Sequence, residues 1–600
     1  MRFPENAFQV NAAQGAPSPQ KFLAQMTPRA CILGLILAVL ATSSGCATYC
    51  SCRQWFSNGF KVGPNYLKPA APVAEDWIDS DDRRVSSDSS HDAAWWQTFK
   101  DPVLNRLVDE AYQQNLSLRE AGMRILEARA ARAVIAGGLF PQSQSVNGGY
   151  TRTQFSRFFP QASANLPHRS FSNWTASTDL LWELDFWGRF RRAIEAADAD
   201  LDASVENYDD ILVMLVAEVA TTYTNIRTLQ QRLEYANNNV KIQKGSLHIT
   251  KVQFENGAVT EVDVQQATLS LKRTESLIPQ FQAQLRQQNN LLCLLLGTPP
   301  RNMLPELGSA GIPTAPPGIA LGIPCELLRR RPDVRRAERL AAAQSARIGV
   351  ALSDLYPHFR IRGSLGYSAG KFSKLFAPSR TNGIVSPGFS WDVLNYGRIK
   401  NNVAVHEAEF QALALDYQNV VLQANSEVED GITNFLNSQD ATLVLEESVT
   451  AADRALQLTL IQYREGAVNF NRVFTIQDTL VEQQDSYAAS QGDIALGLIS
   501  IYKSLGGGWQ IRLGSNQGEN SAPPEVVPTA PVDELQPNEM DEKLPSLPKV
   551  SLRSTDHENR LRSLAQEDSL KSIDHEAYSR KMITFDFKTP INEEDLSDAN

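Results

Sequence analysis

The chain has 600 residues, 21% of them charged and 42% hydrophobic, with six cysteines, seven histidines and a net charge of -11. From Asn516 onward 18 Asp and Glu stand against 9 Lys and Arg, so a nearly neutral body precedes an acidic tail. A body without a basic stripe lacks the clustered Lys and Arg that nucleic acid requires, and histidines scattered at 91, 168, 248, 358, 406, 557 and 575 offer no His-x3-His or Glu-x-x-His pair for a metal.

Lys21 and Arg29 precede the apolar run from Cys31 to Ala41, which is followed by Ser43, Ser44, Gly45 and Cys46. The run is too short for a bilayer, which needs about 20 apolar residues, so residues 1–45 read as a secretory signal of bacterial lipoprotein type. The thiol of Cys46 is then the lipidation site, and Ala47 in place of Asp directs the chain to the outer membrane. Two other readings stand beside this one: a cleaved signal that leaves Cys46 free, and a soft-metal cluster of Cys46, Cys50 and Cys52 that lacks a fourth ligand. No later stretch is apolar for a transmembrane helix, so a membrane role needs strands.

After a linker over 46–99 the body is duplicated. Trp182 and Trp391, Gly188 and Gly397, Tyr208 and Tyr417, and Gly257 and Gly466 all share a separation of 209 positions. This is too long for a solenoid unit and implies two equivalent halves, 100–297 and 326–507, joined by a crossover loop over 298–325. Each half opens on two strand-like runs. From Trp174 to Phe186 the residues Trp174, Ala176, Leu180, Trp182, Leu184 and Phe186 alternate with Thr175, Ser177, Asp179, Glu183 and Asp185. Val385, Pro387, Phe389, Trp391 and Val393 repeat the pattern, with partners expected at 144–154 and 360–368. Four such strands suit a transmembrane barrel or the edge of a soluble sandwich. In lipid, four cannot close, so a barrel requires several copies of the chain.

A proline-free stretch follows each strand pair. Between Gly188 and Phe254, Leu212, Leu215, Val219, Tyr223, Ile226, Leu229 and Leu233 recur at coiled-coil spacing, which predicts a helix of about 100 Å. A return helix from Thr260 to Leu296 is expected to be interrupted at Pro279. Gly257 and Gly466 permit the positive φ of hairpin tips. Beyond 508 the tail is rich in Pro, Glu, Asp and Ser and reads as disordered.

These residues carry a resemblance. Val62-Gly63-Pro64-Asn65-Tyr66, Trp95-Trp96, Asp101-Pro102, Phe186-Trp187-Gly188-Arg189, Arg330-Arg331-Pro332-Asp333 and Ile348-Gly349-Val350-Ala351 are similar to motifs of the TolC-like outer-membrane efflux proteins, in their lipoprotein branch related to the nodulation protein NodT. From the residues alone, Pro332 and Asp333 mark a helix start, and Gly188 and Gly397 relax the strand-to-helix bend. The resemblance implies a mainly α chain with a β-barrel portion, four strands per chain completing a trimeric twelve-stranded barrel, continued by a periplasmic α-helical barrel. It also implies a periplasmic adaptor and an inner-membrane RND-type transporter as partners, with no cofactor and no catalytic site.

In that family the tips close the entrance, often with acidic residues six and nine positions after the second glycine. Arg472 and Thr475 stand there, with Asp263 and Gln266 in the first copy. Asp263 and Arg472 are therefore expected to pair across neighbouring tips, with Glu261, unless Arg472 is simply a solvated residue. Competing functions are a duct for type I protein secretion and a soluble coiled-coil scaffold. Enzyme motifs such as Gly-x-Ser-x-Gly, the P-loop and His-Glu-x-x-His are missing.

Overall fold

A computed structural model describes residues 55–56, 58–86, 93–155 and 170–513. The signal run, Cys46, Cys50, Cys52 and the acidic tail lie outside the described residues.

The first half begins where Asp101 caps a helix. Its Oδ1 accepts from the N–H of Val103 (2.8 Å) and of Leu104 (3.3 Å), and Pro102 occupies the first helical position. This helix, α1 (Pro102–Gln114), is followed by α2 (Leu116–Gly137). A short strand before them, β1 (Val85–Ser86), pairs in parallel with one in the crossover. Then come β2 (Ser143–Gln154) and β3 (Ser170–Glu183), the long helix α3 (Arg189–Glu255) and its return α4 (Glu261–Leu295). The crossover holds α5 (Leu304–Leu307), β4 (Ile319–Ala320) and α6 (Leu327–Arg330). The second half repeats the plan with α7 (Pro332–Ser353), β5 (His358–Ala369), β6 (Thr381–Ser390), α8 (Arg398–Arg464) and α9 (Phe470–Ser504). Both long helices have 67 residues and both returns have 35. The duplication thus extends to the lengths of the hairpin helices.

Strands β2, β3, β5 and β6 form one antiparallel sheet in that order. All four chain connections to helices leave from the same end of it, which sets the sheet at the head of the helical body. The main core lies where α1, α3, α7, α8 and α9 converge. Trp95, Tyr223, Tyr417, Phe435 and Leu498 are all buried there, and Trp95 stacks on Tyr502 with centroids 5.4 Å apart. Asp101 serves this core as well, its Oδ2 accepting from the Tyr223 hydroxyl at 2.6 Å. Leu212, Val219, Tyr223 and Ile226, the stripe legible in the sequence, are buried against it.

Four expectations need correction. Strand β3 ends at Glu183 rather than Phe186, because the Asp185 carboxylate accepts from the N–H groups of Phe190 and Arg191 and bends the chain into α3. Strand β6 runs from 381 to 390, earlier than expected. Pro279 lies inside an unbroken α4: Leu271 and Thr274 before it and Phe281 and Leu285 after it are buried, and that packing outweighs the roughly 3 kcal/mol that a helix-interior proline costs. The body also extends past Gly507. A 3-10 turn, Trp509–Leu513, carries Arg512 onto the wholly buried Asp209 (Nη2 to Oδ2, 2.8 Å), and the Arg335 and Arg512 guanidinium groups lie over the Trp509 ring. Burial is the larger influence on Asp209 and pushes its carboxyl up, with Arg512 acting in the opposite direction.

Candidate functional site

The sheet has two chemically distinct faces. Cross-strand register places Trp182 opposite Ile361, Trp174 opposite Tyr150 and Phe359 opposite Phe389, so one face carries these together with Leu180, Leu365 and Val385. On the other face Asn147 donates to Asp179 at 2.6 Å, Ser177 donates to the same carboxylate at 3.1 Å, and Arg360 Nε donates to Glu183 Oε2 at 2.8 Å. Aromatic rings gather at both ends of the apolar face. Tyr150, Trp174 and Phe372 meet at the end remote from the helices (4.5 and 5.1 Å), and Phe186, Phe359 and Phe389 at the helix-side end (5.2 and 6.2 Å). Phe359 and Tyr367 lie eight residues apart on β5, about 20 Å along the normal for strands tilted by about 40°. An apolar band of that height between aromatic girdles approaches the band of about 25 Å that outer-membrane barrels present to lipid. The edges β2 and β6 are exposed almost throughout, and bare backbone edges are not stable in hydrocarbon, so the sheet needs partner strands on both sides.

Gly188 and Gly397, at φ 79° and 83°, cap α3 and α8 where strand becomes helix. In the first half this junction is crossed by the N-terminal segment. Val62 N–H bonds the Trp187 carbonyl at 3.0 Å. Arg192, 0% exposed, donates to the carbonyls of Val62 and Gly63 (both 3.0 Å), to Asn65 (3.2 Å) and to Glu195 (2.8 Å). Gly63 passes so close to α7 that a Cβ there would lie 2.5 Å from Gly349 Cα. The two glycine motifs at 62–66 and 348–351 are therefore two sides of one contact.

Arg331 joins three elements. It donates to Asp333 (2.7 and 3.0 Å), to Glu427 of α8 (2.7 Å) and to the Ser504 carbonyl at the end of α9 (2.9 Å). Pro332 takes the first position of α7, as the sequence indicates, but Arg331 does more than precede a helix: it clasps the start of the second half to its long hairpin.

At the far end Gly257 (φ 70°) and Gly466 (φ 74°) turn the hairpins, and a Cβ on either would meet nothing, so backbone conformation alone selects glycine. Asp263 forms a capping box: its Oδ2 accepts from the N–H and hydroxyl of Thr260 at 2.9 and 2.8 Å. Arg472 occupies the equivalent helix position in α9, exposed, and Thr475 donates to the Asn471 carbonyl. Glu261 is exposed at the start of α4. Among the described residues no ion pair joins Glu261 or Asp263 to Arg472 within the chain. The two hairpins are instead held together by a ladder of polar contacts: Arg232 to Asp485 (2.7 Å, both nitrogens), Arg273 to Asp478 (2.7 and 2.8 Å), Gln477 to Ser246 (2.8 Å) and Tyr463 to Thr250 (3.1 Å). Sequence reasoning missed this ladder and Arg192. The signal for Arg192 was the run Arg189-Phe190-Arg191-Arg192, whose second pair becomes Lys400-Asn401 in the other half.

No helix of the described residues is long and apolar enough to cross a membrane, and none of their side chains gather into a metal cluster. A model of the family described as "outer membrane efflux protein" matches residues 107–298 and 323–507. The chain is 30% identical to the pyoverdine export outer membrane protein OpmQ of Pseudomonas putida, over 70% of this chain and 89% of that one. It is 28% identical to nodulation protein T of Rhizobium leguminosarum bv. viciae, over 75% and 90%. The solved outer-membrane channel OprN superposes with a TM-score of 0.70 at 30% identity, covering 75% of this chain and 99% of that one. The sheet with its two faces, the doubled hairpins and these likenesses lead to one conclusion: the chain belongs to the outer membrane efflux protein family, and it is an outer-membrane efflux channel subunit with the fold of that family's trimeric channels, a transport duct rather than an enzyme.

Proposed function

We propose that the trimer is the passive, gated exit duct of a tripartite pump, fed by an inner-membrane RND-type transporter through a periplasmic adaptor and carrying small molecules. The sheet with aromatic girdles at both ends supports this reading, because all its helical connections leave from one end, so both long hairpins share one aqueous compartment in which such partners would reach the tips. Pyoverdine export by a relative fits a small-molecule cargo. Deleting the gene should sensitise cells to some members of a panel of toxic compounds, and a plasmid copy should restore tolerance. Unchanged tolerance across the panel would count against efflux.

Acylation of Cys46 belongs to the same proposal, supported by the apolar run that ends in small residues before it. Mass spectrometry of the mature N-terminus should find the lipid there.

Two seams surround the entrance. The seam inside each chain is the ladder from Arg232 to Thr250, and the seam between copies is where Arg472 would pair with Asp263 and Glu261 of the neighbouring tip. Both capping bonds of Asp263 fall on Oδ2, which leaves Oδ1 for that cation. Each exposed pair is worth only about 0–1 kcal/mol, so three copies bias the closed state without locking it. In single-channel recordings Arg273→Glu should raise open probability by loosening the inner seam, and adding Asp478→Arg should reverse it. Arg472→Glu should do the same at the outer seam, with partial reversal by Asp263→Arg; wild-type conductance in either single variant would remove that seam from the gate.

A further inference from the structure

The segment before Val62 is held in a conformation that its own residues resist. Gly59 and Phe60 both lie in the left-handed region, at φ 63° and 61°, and a bulky residue such as Phe adopts it rarely. Arg191 imposes it: Nη1 donates to the Gly59 carbonyl at 2.6 Å and Nη2 to the Phe60 carbonyl at 3.0 Å, while Asp185 fixes the guanidinium through Nε at 2.8 Å. Phe60 N–H closes the loop on the Trp55 carbonyl at 2.9 Å. Two aromatic side chains are left at the surface, Phe56 at 69% and Phe60 at 44% exposed, while Trp55 packs beneath them against Phe186 and Trp187 (5.4 and 5.5 Å). A soluble surface gains nothing from this arrangement.

These rings extend a row that the strands begin. Phe56 meets Phe60 (5.2 Å), Phe60 meets Trp55 (4.8 Å), Trp55 meets Phe186 (5.4 Å), and Phe186 continues to Phe359 and Phe389 in the helix-side girdle. Phe186 lies just past the end of β3 and Phe359 near the start of β5, the two central strands, so a second copy that pairs with the edges β2 and β6 does not cover them.

We propose that Phe56 and Phe60, backed by Trp55, form an aromatic wedge seated in the periplasm-facing phospholipid leaflet, so that the N-terminal segment is itself a lipid-contacting surface beside the barrel. Aromatic rings favour the headgroup boundary, where an apolar body meets water. The wedge fixes the height of the strand-to-helix junction relative to the membrane, through Arg191 and Arg192, independently of any acyl chain. It rests on the bilayer placement of the sheet, and the test separates the two.

The full-length chain is expressed in cells with Phe56 replaced by the photo-crosslinker p-benzoylphenylalanine, and in parallel with Leu365, an outward residue of β5, replaced in the same way. After irradiation the trimer is isolated and its adducts are identified by mass spectrometry. Phospholipid adducts at position 56 as well as at 365 support the wedge. Lipid at 365 with none at 56, or with only protein adducts at 56, overturns the wedge and leaves the barrel standing. No lipid at either position overturns both.

Discussion

Leu365→Lys should remove most of the trimer from the outer membrane, whereas Ser364→Lys, one residue away, should leave it. Leu365 is 63% exposed on the apolar face of a central strand, and a cation there faces hydrocarbon at a cost of about 2–4 kcal/mol per chain, incurred three times in the assembled barrel. Ser364 points the other way and is registered opposite Asp179, so a lysine there gains a cross-strand partner in the aqueous lumen. The amount of heat-modifiable trimer in the outer-membrane fraction measures both. Equal yields from the two variants would mean that the faces have been assigned wrongly.

Arg192→Ala should lower the thermal stability of the trimer more than any surface substitution. The guanidinium is wholly enclosed and satisfies the carbonyls of Val62 and Gly63 where that segment packs against Gly349. Leaving such acceptors unpaired costs about 1–3 kcal/mol each, so the two together cost about 2–5 kcal/mol, while Glu195 keeps Lys61 as a partner. Arg192→Lys keeps one donor and should fall between. The temperature at which half of the trimer dissociates in detergent reads the effect. An unchanged midpoint would show that the N-terminal segment is held by other contacts.

The features legible in the sequence are those with a period or a local rule. Alternation from Trp174 to Glu183 revealed the faces, spacing from Leu212 to Ile226 the buried helix stripe, Asp101-Pro102 and Pro332 the helix starts, and the shared separation the two halves. What escaped depends on residues far apart in the chain. Nothing around Gly63 announces that it will meet Gly349, and nothing near Trp509 announces that Arg512 will reach Asp209. The short pair β1 and β4 is too brief to carry a period. At Pro279 a sound local rule was outweighed by packing along α3. At the tips, Asp263 was legible as an acid beside a glycine turn, but its role as a cap on Thr260 follows from backbone geometry, and the ladder from Arg232 to Asp485 links two hairpins that the sequence describes separately.

The bare strands on either side of each sheet have a consequence for genetics. The edges differ, β2 on one side and β6 on the other, so copies join head to tail, and a lesion confined to one edge still damages every ring that admits it. In a cell that makes sound and edge-damaged chains equally, with random mixing, about one ring in eight is free of damage. Alleles altered along Ser143–Gln154 or Thr381–Ser390 should therefore behave as dominant, whereas those that unfold the chain before it reaches a neighbour should be recessive.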